Sequence, residues 1–360
     1  MSNRLKTWGA VSLAAAAIMA ATSAATAHAA ADFSGKTITF IVPFKPGGGS
    51  SIYTRFLAPL FAKHLPGKPN HIIKNIPGGG SVKGANVFSY KAKDDGLLVF
   101  TTGSGTFLKP ILKHKSVKYD PLEFVPLIAS PFGLLVYVRK DLGVGPGDVD
   151  KLQGKELIMG DRTPTGGGMP VMLSMRLLNL NAKHIFGLSS GKKRQALQRG
   201  ETNINQDNQS SYAKKVLPLI KEGIAVPLYT LGYQGPGGKV VRDPMLPDIP
   251  TFDEMYEKVH GKKISGIEAQ AWKAAFSIRV MAAKMMVLPK KTKKDVLDAY
   301  HAAAKKVVKD PVFLGKQGQK LFGPYPQSLG DDALEILKAA AHMDPKASKW
   351  LRDWVKTVKK

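Results

Sequence analysis

The sequence predicts an α/β chain built twice over: two lobes, each a parallel sheet covered by helices, joined by two crossing strands with a cleft between them. Three observations carry this. Short apolar runs alternate with helix-like segments from residue 38 to about 102, and strands alternating with helices imply a parallel sheet covered on both faces. The same alternation resumes from about 151 to 229. Between the two units, "VPLIASPFGLLVYV" (125–138) is broken by Pro131 and Gly133 and reads as two buried strands, the first crossing. "IAVPLYTLG" (224–232) leads back out as the second. Lobe one is thus expected over 36–132 and 236–360, and lobe two over 133–235. A cleft between two hinged lobes is a usual place for a ligand.

The elements follow in order. Residues 38–42 form a strand, and 51–65 a helix with Ile52, Phe56, Leu57, Leu60 and Phe61 near one face. "HIIKNI" (71–76) is a strand, "PGGGSVKGANVFSY" turns into a helix, and "DGLLVFTT" (95–102) is a third strand. In the second unit, 155–162 is a strand, 168–180 a helix, "KHIFGL" a strand and "GKKRQALQRG" a short helix. "ETNINQDN" follows as a strand edge, then "SYAKKVLPLIKEG" as a helix with a proline near its middle. After 232 the chain turns rich in Gly and Pro, and the remainder reads as mostly helical, with 292–310 the clearest amphipathic stretch.

The first residues read as an address. Arg4 and Lys6 precede an apolar, alanine-rich run, and "AHA" (27–29) is a small-x-small cleavage site. That is the pattern of a secretory signal peptide over 1–29, too short to persist as a membrane span. The expected location is the periplasm. Zero cysteines exclude a lipobox, disulfides and thiolate metal sites. Lys plus Arg number 53 against 27 Asp plus Glu, a net charge of +26. Such a balance suits acidic partners. The lysines are spread along the chain, however, and "PKKTKK" (289–294) lacks interleaved aromatics, so a solvated basic surface is expected and no nucleic acid.

Which motifs carry chemistry? "ITFIVPFKPGGGSS" (38–51) is strand, glycine turn, helix start. Free backbone N–H groups and the positive end of the helix dipole make such a turn an anion site; it also reads as a tight turn with no ligand. "TPTGGGMP" (163–170) holds the equivalent place in lobe two, so two helix N-termini are expected to face each other and hold two ends of one anion. "TTGSGT" (101–106) adds Ser104 and Thr106 as hydroxyl donors. Neither G-x-x-x-x-G-K-[ST] nor G-x-G-x-x-G is present in context, which argues against nucleotides. No H-E-x-x-H spacing, G-x-S-x-G elbow or nucleophile–base constellation occurs, so neither metal, cofactor nor catalysis is expected.

Six motifs, in order, resemble the solute-binding proteins of tripartite tricarboxylate transporters, the Bug family. The stretch Pro43 to Ser51 resembles P-[YF]-x-P-G-G-x-x-D, and "NIPGGGSVKGAN" (75–86) resembles N-x-P-G-A-G-x-x-x-G-A-x. "DDGLLVFTTGSGT" (94–106), "KYDPLEFVPLI" (118–128), "RGETNINQDN" (199–208) and "MLPDIPTFDEM" (245–255) are similar to the motifs that follow. The likeness covers about 36–345. It implies a type II periplasmic binding protein that captures a small carboxylate and hands it to a two-subunit membrane permease, working as a monomer. A ligand-sensing protein that presents its bound form to a membrane receptor has the same sequence features.

The resemblance and the glycine loops together select the ligand-binding residues. They are Phe44, Gly47, Gly48, Ser50 and Ser51 in the first loop; Ser104 and Thr106 in the next; Thr165, Gly166, Gly167 and Gly168 across the cleft; and Asp207. Phe44 covers the ligand's apolar part, the glycines supply N–H donors, and Asp207 either orients a water, reads a ligand donor or caps a helix. The chain departs from the family at Ser51, which replaces an acid, and at Lys45 inside the first loop. Both departures predict a more positive site. The stretch 264–286 is longer than is usual in the family.

Overall fold

The computed structural model describes residues 31–235 and 238–358; the expected signal segment lies outside them. Two five-stranded mixed sheets organise the chain. The first contains β1 (Thr37–Val42), β2 (Asn70–Asn75), β3 (Leu98–Thr101), β4 (Phe124–Ser130) and a late strand, Lys284–Pro289, in the order β2-β1-β3-late-β4. The second contains β5 (Leu134–Arg139), β6 (Leu157–Gly160), β7 (Ala182–Ile185), β8 (Ile204–Asn208) and β9 (Ala225–Thr230), in the order β7-β6-β8-β5-β9. A hairpin of β10 (Tyr233–Gln234) and β11 (Val240–Val241) follows, which makes the late strand β12. The two sheets have the same plan. In each, one strand arrives from the other sheet and pairs antiparallel between the third and fourth: β12 between β3 and β4, β5 between β8 and β9.

The principal helices are α1 (Gly49–His64), α2 (Val82–Lys91), α3 (Ser104–Ile111), α4 (Met169–Leu177), α5 (Ser190–Gln198), α6 (Phe252–His260), α7 (Gly266–Phe276), α8 (Lys294–Val307), α9 (Gly330–Ala341) and α10 (Pro345–Val358). Among the described residues, no helix is long and apolar enough to cross a membrane. The first sheet packs Phe88 of α2 against Phe100 of β3, with centroids 5.2 Å apart and Phe124 at the edge. Helix α7 packs on α4 beside the second sheet and on α9 and α10 beside the first, so it bridges the two halves. A wide π-type turn, Ser277–Met281, connects it to β12. Such turns often sit at functional sites.

Two sequence expectations need correction. The apolar face of α1 is rotated: Ile52 is 52% exposed, whereas Tyr53, Thr54, Leu57, Ala58 and Phe61 are buried. Hydroxyl pairs decide the rotation. Thr54 Oγ1 meets Thr101 Oγ1 at 2.7 Å and Tyr53 Oη meets Ser130 Oγ at 2.9 Å, so polar residues are satisfied inside the face. The stretch after 235 was expected to be mostly helical, but "KMMVLP" is β12, nearly all buried inside the first sheet. Six residues following a helix carry too little alternation to be read as a strand.

The first crossing is gripped. A side chain on Gly133 would stand 2.0 Å from both Asp243 Oδ2 and Tyr325 Oη, while Tyr325 donates to Asp243 at 2.6 Å. Farther out, Asp310 accepts from Lys63 Nζ and pairs with His64 Nε2, both at 2.7 Å, and caps the Val312 amide. The Lys63 ammonium, then the Val312 amide, then His64 hold its carboxyl down at about 2. A carboxylate with a depressed folded pKa stabilises above its unfolded value near 4, and that stability is lost as pH falls toward 2. Asp310→Asn should therefore destabilise by about 1–3 kcal/mol at pH 7. The difference from wild type should shrink between roughly pH 4 and 2, as read by denaturant titration.

Candidate functional site

The first glycine loop leaves the end of β1 and enters α1 through Gly48, whose backbone is extended (φ −76°, ψ 162°). No side chain caps this helix and no acid lies in its first turn. The amides of its first turn have no carbonyl partner within the helix, and they sit at the positive end of the dipole. Asn75 Nδ2 donates to the Phe44 carbonyl at 2.8 Å and lies 3.5 Å from Ser51 Oγ, pinning the loop to the end of β2. Ser51 is fully buried, whereas Lys45, Gly47 and Gly48 are exposed and Ser50 is half-buried. The Phe44 ring lies against Gly103, where a Cβ would be 2.8 Å from its edge.

The turn after β3 separates two residues expected to act together. Thr106 is buried: its hydroxyl accepts from the Gly103 amide at 3.2 Å and meets Ser81 Oγ at 3.1 Å. It caps the turn instead of opening toward a ligand. Ser104 is half-buried, donates to the Ile278 carbonyl at 3.5 Å, and lies 4.0 Å from where a Cβ of Gly167 would be. It thus stands where the two halves meet.

Across from it runs the loop from β6 to α4. Lys109 Nζ of α3 donates to Thr165 Oγ1 at 2.7 Å, a direct strap between the halves. The start of α4 differs from that of α1. The Met169 amide bonds the Gly166 carbonyl at 3.1 Å, Pro170 has no N–H, and the Val171 amide bonds the Gly168 carbonyl at 3.0 Å. The Gly166 amide itself bonds the Thr163 carbonyl at 3.2 Å. The expected pair of open helix N-termini is therefore lopsided: one is open, the other largely engaged. Gly168 is glycine because a Cβ there would fall 1.4 Å from Asp161 Oδ2, which is itself buried without a partner.

Charged residues gather beside these loops. Asp207, expected at the ligand, is buried with both oxygens engaged: Arg194 Nη1 at 2.7 Å and Tyr137 Oη at 2.9 Å. Both bonds are made within the second half. Arg279, in the π-type turn, donates Nη2 to Gln206 Oε1 of β8 at 3.2 Å, while its Nε is buried without a partner. Burial pulls the guanidinium down to about 10, with Asp161 and Asp207 opposing. Lys284, at the head of β12, places Nζ 4.3 Å from the Phe132 ring centroid and 3.7 Å from where a Cβ of Gly49 would be. Burial, then the repulsion of Arg279, bring its ammonium to about 8. Burial likewise lowers Lys193, against Asp161 and Asp207. Sequence reading missed Arg279, Lys284, Lys193, Arg194 and Asp161. The available signal was lone cations inside an apolar run, "AAFSIRVMAAKMMVL" (274–288). A cavity of about 260 Å³, lined by Pro110, Ile111, Ser348 and Arg352 among others, lies elsewhere and includes none of these groups. Among the described residues, no group of three or more His, Cys, Asp or Glu could hold a metal ion.

No family model matches the chain. The UPF0065 protein in the tcbD–tcbE intergenic region of Pseudomonas sp. (strain P51) is 22% identical over 334 residues, spanning 89% of this chain and 88% of that protein. Among solved structures, a TctC solute-binding protein from Polaromonas aligns with a TM-score of 0.64 at 16% identity, covering 89% of this chain and 98% of that one. Rpa4515 of R. palustris, solved with adipate, gives 0.60 at 18% identity over 89% and 96%. MatC of Rhodopseudomonas palustris, solved with malate, gives 0.57 at 20% identity over 90% and 99%. These likenesses bear out the fold and the resemblance read from the six motifs: the chain has the two-lobed α/β fold of the tripartite tricarboxylate solute-binding proteins and resembles their Bug family along most of its length.

Proposed function

We propose that this chain is a periplasmic solute-binding protein that captures a small organic acid through its carboxylate and delivers it to a two-subunit permease of the tripartite tricarboxylate type. It binds and does not catalyse. The lobes are taken as 36–132 with 236–360, and 133–235. The observation that carries the reading is the open N-terminus of α1, whose loop lays the Phe44 ring against Gly103, the residue before Ser104. An uncapped helix start with no acid of its own accepts a carboxylate through backbone N–H groups. Malate and adipate in similar proteins are acids of this kind. Phe44, Gly47, Gly48, Ser50, Ser104, Thr165 and Gly167 are the proposed contacts, with the fully buried Ser51 supporting the loop from within.

Thermal melting against a panel of organic acids tests this. An acid present at 100 times its Kd should stabilise by roughly 2.7 kcal/mol. If no carboxylate moves the melting curve while lipid or nucleic acid does, the reading fails.

A further inference from the structure

We propose that Lys284 and Arg279 form a charged subsite in the cleft that selects an acid carrying two negative charges, Lys284 sharing one carboxylate with the start of α1 and Arg279 holding the other. This rests on the organic-acid reading above and deepens it.

The argument begins with Lys284. Its ammonium stands against Gly49, the first residue of α1, at the positive end of the helix dipole. Its other neighbours are the Phe132 ring and the like charge of Arg279. No carboxylate pairs with it among the described residues. A cation enclosed beside another cation and a helix N-terminus is unfavourable unless an anion joins them. A carboxylate on the first-turn amides lies within reach of that ammonium and supplies the missing charge.

Arg279 gives the second anchor. Its guanidinium donates to Gln206 of the second sheet, and its buried Nε donor has no partner among the described residues. A guanidinium is built to grip a carboxylate with two donors at once. The second glycine loop cannot take that role with its helix start, because the Met169 and Val171 amides are engaged and Pro170 has none. The charge count agrees. Lys193, Arg194 and Arg279 lie near Asp161 and Asp207, and Lys284 adds a fourth cation beside Arg279, an excess of two positive charges while Lys193 is protonated. A dicarboxylate brings two negative ones. Because Arg279 joins β12's lead-in to β8, a ligand that binds it also holds the two halves together.

Isothermal titration at pH 7 with the chain lacking its signal segment tests the subsite. The probes are succinate, glutarate and adipate, against butyrate, pentanoate, hexanoate and inorganic phosphate. Wild type should bind at least one dicarboxylate about 30-fold or more tighter than the monocarboxylate of matched length, the effect of one desolvated charge pair. Arg279→Met should bring the two acids to within a few-fold of each other, and Arg279→Lys should keep part of the preference. Lys284→Met should weaken every acid by about 30-fold or more. Both Met variants, free of ligand, should melt at or above the wild-type temperature, because an unpaired enclosed cation is replaced by an apolar side chain. A purely structural cation would instead lower the melting temperature and leave the dicarboxylate preference intact. That result overturns the proposal, as does phosphate binding more tightly than every dicarboxylate. Equal binding of mono- and dicarboxylates by wild type removes the subsite and leaves the organic-acid reading standing; binding of no acid removes both.

Discussion

A Gly48→Asp variant should melt at or above the wild-type temperature and bind no organic acid. Gly48 is the N-cap of α1, in extended backbone that any residue adopts, and a Cβ there meets nothing closer than the Lys45 carbonyl at 3.4 Å. The helix has no side-chain cap and no acid in its first turn. An aspartate at this position accepts from the first-turn amides and complements the dipole, a gain of roughly 0.5–1 kcal/mol. The same carboxylate occupies the place proposed for the ligand's carboxylate and sets its charge beside Lys284. Like charges forced together cost several kcal/mol, so the affinity loss should exceed about 100-fold. Calorimetric melting and titration with the acid found by thermal screening read the two effects separately. Retained binding in a stable variant would place the site elsewhere in the molecule, and loss of cooperative melting would refute the account of Gly48 as a free N-cap.

The sequence made the glycine loops legible because backbone conformation leaves a residue signature. A turn that must expose amides or let two chains touch is written in Gly and Pro. The alternation of strands and helices was legible for the same kind of reason, since buried parallel strands are nearly continuous apolar runs. Strand β12 was not, because it is short and follows the helical stretch of α7 directly. That omission hid the charges as well. Lys284 heads β12 and Arg279 sits in the turn before it, within the very segment, 264–286, noted as longer than the family pattern. The expectation of a more positive site rested on Ser51 and Lys45. Lys45 is exposed, and the enclosed cations come instead from residues far along the chain. Asp207 shows the converse. A carboxylate in a strand looked like a ligand contact, but the long Arg194 side chain from α5 reaches it first. Local patterns specify backbone; which side chains converge is set by the second crossing, and no local pattern encodes that.

Gly105→Ala should be the most damaging single methyl in the site, because two glycine turns touch there with no side chain free to yield. A Cβ on Gly105 would lie 1.8 Å from the backbone oxygen of Gly80, 2.9 Å from its carbonyl carbon and 3.2 Å from Ser81 Oγ. Gly80 cannot easily withdraw. It lies at φ +66°, between Gly79 at φ +58° and Ser81 at φ +98°, a run of left-handed residues with little alternative backbone. The contact joins the "PGGGS" and "TTGSGT" turns, so these glycines serve packing between them. Overpacking of this sort costs about 1–3 kcal/mol, and a clash with backbone belongs at the upper end. The displacement also carries Ser104, next in the chain, away from Gly167, so acid affinity should fall together with stability. Gly191→Ala is the matched control. That position lies in the first turn of helix α5, a Cβ there meets nothing within 4 Å, and alanine should stabilise by up to about 0.5 kcal/mol. Urea denaturation of the two variants should move the midpoint in opposite directions. Equal stability of Gly105→Ala and wild type would mean that the two turns stand apart in solution.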